Sequence, residues 1–512
     1  MKEILYIQAG SQANYIGTHF WNTQESYFTY GDDEDPETCH SISFREGLNS
    51  KSEPTFCPRL LAFDHKSNFG TLSQANALFG MGDTANEQIL WTEDPVEYKQ
   101  EPVRKSRYQA DMEELDLDYG DTSDAQLDDV RYWSDFNRLF YVPRTVQKIP
   151  DVPEWEDAEG NWTAGHETFT RFDEDTGLME GPFRLFLEEC ETIQGIQIIH
   201  DASTFGGFID SFLTSLRDDF VKLPLLVWPL LSDAPLSNTA DDRRGTRKAI
   251  NDALVLRSLS ELSSMNIPIQ SSTTWADEVC TNTYMHASKA HVYHTSAILS
   301  AHIETVTLPL RLYNAKEDIQ SFVGQLSWRT ALPFTELSGA FPHAGTIELD
   351  RGVYSFSSAA SGPWHPIHFG RRDVTRGFSR SGITSYNEWI NRSGIDDSLI
   401  SSTHAAAYPL PTSFPNFFGT AMPQNGPSGI LSRPRSTSVF SSIGASSETA
   451  DLFSRYATFL EDCARRKISV ERAGIDVDEM GDMANDMWTF HDNAGGGTDG
   501  NSDEDVRGED ED

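Results

Sequence analysis

The first twenty-one residues, MKEILYIQAGSQANYIGTHFW, constrain the fold more than any other stretch of the chain. Ile4, Leu5 and Ile7 read as a short buried strand, Ala9-Gly10-Ser11 as a small-residue turn, and Ile16, Phe20 and Trp21 as one face of a following helix. Strand, glycine turn and helix together present backbone N–H groups and a helix N-terminus to an anion. Gly10, Ser11, Gln12 and Asn14 are therefore candidates to hold a phosphate. Many α/β proteins begin this way without binding a nucleotide, so the rest of the chain has to bear on the question.

Further apolar runs occur at Arg59–Phe63 (RLLAF), Ile196–Ile199 (IQII) and Leu225–Leu231 (LLVWPLL), with amphipathic stretches between them. Continuous apolar strands alternating with helices predict a parallel sheet covered by helices. From Phe208 to Phe220 the apolar residues fall in a helical stripe, and 247–262 makes a long helix placed to link two domains. A chain of 512 residues is long enough for two or three domains. The expected organisation is a nucleotide-binding-type domain over 1–270, with a charged insertion at about 93–131. A second, smaller α/β domain over 271–475 contains a Ser/Pro-rich, irregular segment at 401–449. Leu452, Phe453, Tyr456, Phe459, Leu460 and Cys463 mark a helix near its end. The remainder, 476–512, reads as a disordered acidic tail.

Charge limits the partners. Forty basic residues against 79 acidic ones leave a net charge of −39. Residues 111–129 hold nine acids and no base, and the stretch from Asp499 to Asp512 holds eight acids against Arg507. Such a surface repels polyphosphates, so direct nucleic-acid binding is not expected. The acidic runs read as solvated disorder, with a basic partner surface as the sharper alternative. No stretch approaches the roughly 18 apolar residues of a membrane span, and the N-terminus resembles neither a secretory signal nor a mitochondrial presequence. The five scattered cysteines have no zinc-like spacing and indicate a reducing compartment.

A second unit runs from Glu188 to Phe220. Its Cys190, Gln194-Gly195, Gln197 and His200 resemble the strand that leads into the phosphate loop of the tubulins, and Leu216–Phe220 resembles the end of the helix that follows. The N-terminal Ile-Gln-Ala-Gly, Asn14, Ile16-Gly17 and Phe20-Trp21 closely resemble the start of the same proteins. Between the second pair of flanks the family carries Gly-Gly-Gly-Thr-Gly-Ser-Gly, because glycine lets successive N–H groups crowd around a phosphate. Here the span is Asp201-Ala202-Ser203-Thr204-Phe205-Gly206-Gly207, with the matching flanks two residues closer together, a bulky Phe205 and the negative charge of Asp201. Ser203, Thr204, Gly206 and Gly207 are thus candidates only for a vestigial nucleotide site. A tail sequence, Gly495–Gly500, superficially resembles the missing motif, but no strand precedes it and no helix follows.

Tubulins hydrolyse GTP with an acid from the region that matches Ser300–Thr305 here, and their Asn-x-Asp is replaced by Ser-x-His. Glu304 is then a surface glutamate of a helix, or the residue that orients a water. No catalytic residue and no metal ligand is assigned. His365 and His368 are separated by a proline with no third ligand. Arg371, Arg372, Arg376 and Arg380 form a basic cluster that either meets an anionic surface or pairs internally with the acidic insertion.

Tyr132-Trp133-Ser134-Asp135-Phe136 with Pro143-Arg144, and Pro411-Thr412-Ser413-Phe414-Pro415, are more similar to the Misato family of tubulin-like proteins than to tubulins themselves. Gly17–Trp21, Pro58-Arg59-Leu60 and Phe63-Asp64 carry the same resemblance, which spans most of 1–470. It implies a tubulin-like, Rossmann-type α/β fold with a second domain. It also implies a role in partitioning mitochondria, in inheritance of mitochondrial DNA and in mitochondrial morphology. The expected protein is a non-enzymatic factor without a bound cofactor, at the cytosolic face of the mitochondrion and in the cytoplasm. Its expected partners are proteins, tubulin or the cytoskeleton and the mitochondrial surface among them. The rivals are a polymerising GTPase that still holds GTP, and a cytosolic adaptor for tubulin or its folding machinery.

Overall fold

The computed structural model describes residues 2–28, 37–48, 54–73, 103–110, 130–151, 161–236, 243–281, 285–313, 317–328, 332–342, 352–358, 368–392, 399–418, 434–467 and 475–494. The acidic run at 111–129 and the stretch 495–512 lie outside them.

Two sheets are built on either side of one buried helix. The first sheet has six strands: β1 (Glu3–Ala9), β4 (Leu60–His65), β5 (Val146–Ile149), β6 (Ile193–Asp201), β7 (Leu225–Leu230) and β8 (Met265–Asn266). Their order is β5-β4-β1-β6-β7-β8 and every pairing is parallel. The four apolar runs of the sequence are β1, β4, β6 and β7, each buried on both faces as a parallel sheet requires. A hairpin of β2 (Phe44–Leu48) and β3 (Pro54–Pro58) lies between β1 and β4 in the chain. Strand order reverses at β1: the chain first builds outward through β4 and β5, then returns to place β6 on the other side. The crevice beyond the carboxyl ends of β1 and β6 is therefore the topological switch point, where ligands of such sheets bind.

One face of this sheet is covered by α2 (Trp162–Thr176), α4 (Ala202–Asp219) and α5 (Arg243–Leu262), with the short α3 (Arg184–Glu188) at its lower edge. The long helix at 243–262 packs within this layer against α4. The other face is covered by α1 (Ser11–Glu25) and, beyond it, α6 (Val292–Thr307). Every residue of α6 after its first, Val292, is buried. Helices that are apolar on one stripe only face water; one buried all round has to have partners on all sides.

The second partner of α6 is a mixed sheet of β9 (Glu336–Ala340), β10 (Tyr354–Ser355), β11 (His368–Arg376), β12 (Leu399–Ala405) and β13 (Val439–Ser446), in the order β10-β9-β13-β11-β12. Helices α7 (Ile319–Leu326) and α8 (Arg380–Arg392) flank it. Two expectations are corrected here. The Ser/Pro-rich 401–449 is not irregular throughout, since it ends in β13, all of whose residues are buried at the centre of the sheet. Small serines and glycines let β13 lie close to α6, where Ser441 bonds Nδ1 of His302 at 2.8 Å. Nor does disorder begin at 476: Val477–Ala494 forms α10, which pairs with α9 (Thr449–Arg465). Met480, Met483, Ala484 and Met487 recur at helical spacing and bury against the helical face of the first sheet, at about 1.5–3 kcal/mol for a fully buried Met. That periodicity is hidden among acids in the sequence.

Candidate functional site

At the switch point, β1 ends at Ala9, Gly10 turns with φ of 107°, and α1 begins at Ser11. An α-helix leaves its first N–H groups without intrahelical partners. The cap residue of α1 is glycine, which offers no side chain, and its first turn holds no acid. Asp201, the last residue of β6, supplies the missing acceptor from across the crevice. Gln12 N–H donates to Asp201 Oδ2 at 3.0 Å and Ala13 N–H to Oδ1 at 2.8 Å. The carboxylate thus spans the two donors and lies along the favourable end of the helix dipole. A Cβ on Gly10 would stand 2.5 Å from the Asp201 carboxyl, so glycine is required for both its φ and this approach.

A second acid stands at the adjacent strand end. Asp64, at the end of β4, is fully buried and accepts from Asn14 Nδ2 at 3.2 Å, Trp133 Nε1 at 3.1 Å, Asn68 Nδ2 at 2.8 Å and the His65 N–H at 2.9 Å. Burial pushes Asp64 up to about 6 against these donors. Burial likewise pushes Asp201 up to about 7, its two backbone donors opposing and the nearby Asp64 adding to the rise. Asn14 also donates to the Phe63 carbonyl at 2.9 Å, which ties α1 to β4.

The predicted residues fall into two groups. Gly10, Ser11, Gln12 and Asn14 are brought together at the start of α1, as the strand-turn-helix reading requires. Ser203, Thr204, Gly206 and Gly207 form no loop. They lie in the first turns of α4, which starts at Ala202 directly after the strand. Ser203 uses its carbonyl to accept from Asn251 Nδ2 at 3.1 Å. Gly207 packs so tightly that a Cβ would meet the Trp162 carbonyl oxygen at 2.2 Å, and one on Gly206 would meet Val255 at 2.6 Å. These glycines serve helix packing against α2 and α5. Phe205 is a core residue. A phosphate brought to this crevice would find the α1 donors held by a carboxylate and no glycine loop opposite. As placed, the residues do not fit a nucleotide phosphate.

Glu304 is neither a surface residue nor free to orient a water. It is completely buried in α6 and joined to Arg311 Nη2 at 3.0 Å and Arg376 Nη1 at 2.8 Å. Gln24 Nε2 and Tyr27 OH donate to the same carboxylate at 3.1 and 2.9 Å. This hub connects α1, α6 and β11. It also corrects the reading of the arginine cluster. Arg371 pairs with Asp373 at 2.7 Å, Arg372 with Glu317, and Arg376 with Glu304. All three are buried and meet acids of the second sheet's own surroundings, and none of these partners is in the acidic insertion. Arg380 begins α8 and is exposed. Of the two histidines weighed as ligands, His365 lies outside the described residues. Among the described residues no group of three or more His, Cys, Asp or Glu is placed to hold a metal, and no helix is long and apolar enough to cross a membrane. Asp64 and the Glu304 hub were not legible as sites, because partners come from distant segments; Asp64 and Trp133 carried a signal only as parts of family motifs.

Residues 2–114 match the Misato Segment II tubulin-like domain, and residues 122–312 match the tubulin domain. The chain is 37% identical over 319 residues to protein DML1 of Gibberella zeae, covering 61% of each chain. It is 34% identical over 333 residues to protein dml1 of Aspergillus oryzae, covering 63% of this chain and 64% of the relative. To protein misato of Drosophila melanogaster it is 29% identical over 359 residues, covering 63% and 62%. The matched part thus spans somewhat less than two thirds of these relatives' length. Together with the six-stranded parallel sheet and its switch-point helix, these matches make the chain similar, over somewhat less than two thirds of its length, to the Misato family of tubulin-like proteins.

Proposed function

We propose that the protein is a non-enzymatic, tubulin-shaped factor that partitions mitochondria at division, and so governs inheritance of mitochondrial DNA and mitochondrial morphology. The observation that carries the non-enzymatic half is the Asp201 carboxylate on the Gln12 and Ala13 N–H groups, where a nucleotide-holding relative of this fold would need free donors. The burial of Glu304 between two arginines supports the same reading, because a carboxylate in that position has no access to a water nucleophile. The mitochondrial half rests on the family resemblance. On this reading no GTP is bound, and the protein works from the cytoplasm and the cytosolic face of the organelle. It acts through protein partners, with tubulin or the cytoskeleton and the mitochondrial surface as the candidates.

Depletion of the protein in dividing cells tests the role. The expected result is daughters that receive unequal mitochondrial DNA, restored by the full-length chain. Equal mitochondrial DNA and unaltered mitochondria after depletion would refute it.

A further inference from the structure

At the end of the first sheet opposite Asp201, a cavity of about 480 Å³ opens where β6 begins and α4 ends. That volume falls within the ~300–1,000 Å³ of sites that enclose a ligand group. Its wall is apolar: Phe183, Leu187, Ile193 and Leu223 face it, and Phe220 stands at the mouth. Phe220 is 38% exposed and the adjacent Val221 is 72% exposed, an unusual pair of large apolar side chains to leave in water side by side. One lip is a wide turn of π-helix, Met179–Phe183, containing Gly181 and Pro182. Such turns are rare and recur at functional sites.

The rim carries charge of one sign in excess. Glu180, Glu188 and Asp219 line the opening, with Arg184 the one base among its lining residues and exposed Lys222 beside it. Arg184 is shared between Glu180 at 2.6 Å and Glu188 at 3.0 Å, which leaves a surplus of negative charge over an apolar floor. An apolar group ringed by cations complements this surface, and the chain's net charge of −39 favours approach of such a partner.

We propose that this cavity receives a cationic amphipathic helix of a partner protein. Apolar side chains on one face of that helix seat against Leu187, Phe220 and Leu223, and flanking Lys or Arg residues meet Glu180, Glu188 and Asp219.

The test uses the full-length protein and a labelled 15-residue peptide of Leu and Lys at helical spacing, followed by fluorescence anisotropy, with a Leu/Glu peptide of the same pattern as counterpart. Glu180→Lys with Glu188→Lys is expected to weaken the Leu/Lys peptide at least tenfold and to reverse the preference toward Leu/Glu. Both side chains are more than half exposed, so the fold should tolerate the change. Phe220→Ser tests the apolar contact without a charge change and is expected to weaken binding at least fivefold. Asp478→Lys with Asp482→Lys, on the exposed side of α10, makes an equal change in net charge elsewhere and is expected to alter affinity less than twofold. Equal losses in the two charge variants would mean unspecific attraction and would overturn the proposal. So would failure of the peptide to bind the unaltered protein, or dimerisation of the protein that Phe220→Ser abolishes, which would assign the face to a second copy.

Discussion

Two carboxylates, half-buried Asp201 at the switch point and fully buried Glu304 in α6, occupy the regions where a tubulin-like fold would handle a nucleotide, and they differ in what neutralises them. Asp201 is met by two backbone N–H groups of a helix end; Glu304 is met by two guanidinium groups and two further side-chain donors. The first is a cap, whose loss leaves dipoles unsatisfied. The second is an ionic hub, whose loss leaves charges unsatisfied. Removing one partner of a buried ion pair is far costlier than removing a cap, because the remaining charge cannot return to water.

The largest expected effect follows directly. Glu304→Ala strands Arg311 and Arg376 inside the protein and should lower stability by about 3–5 kcal/mol, read as a drop in urea midpoint. A loss below about 1 kcal/mol would show that the hub is hydrated and that the contrast fails. Gly207→Ala comes next, at about 2 kcal/mol, since the new methyl has to push against the Trp162 backbone rather than a flexible side chain. Were Gly207 part of an open phosphate loop, the same change would be nearly neutral. Asp201→Ala should cost about 1 kcal/mol, the range of a lost N-cap.

The last effect concerns pH. Asp201 and Asp64 are held up to about 7 and about 6 in the fold, above the ordinary 3.8. The folded state therefore binds more protons than the unfolded one between about pH 4 and pH 7. Stability is present in full below about pH 4 and declines as pH rises through 6 and 7. Other buried acids, Asp252 and Glu336 at about 7, add to the same trend. Asp201→Asn should remove its share and flatten the decline between pH 4.5 and 7.5 in paired urea titrations. An unchanged slope would mean that Asp201 stays fully ionised throughout.

The contrast also explains what the sequence made legible. The first sheet could be read because its parallel strands are uninterrupted apolar runs, and Asp201 stood out because an acid at the end of β6 conflicts with phosphate binding. Glu304 could not be read, since its neutralising partners lie at Arg311 and, far along the chain, at Arg376. Arg371, Arg372 and Arg376 read as a cluster facing an anionic surface or the acidic insertion because arginine is rarely buried, whereas their acids are Asp373 on β11 itself, Glu317 just ahead of α7 and Glu304 in α6. β13 was obscured by Ser441, Ser442 and Gly444, small residues selected for closeness to neighbouring elements rather than for strand propensity. α10 was obscured by composition, its methionine stripe lying among aspartates. Local patterning carried the layers, while the long-range pairing of charges carried the site.

The central claim is that the Asp201 carboxylate has replaced the phosphate at the start of α1. Isothermal titration of GTP and GDP with magnesium into the purified full-length protein tests it most directly. The account predicts no binding heat up to millimolar nucleotide. Micromolar binding by the unaltered protein would contradict it, and would return the crevice at Gly10 to the role of a nucleotide site.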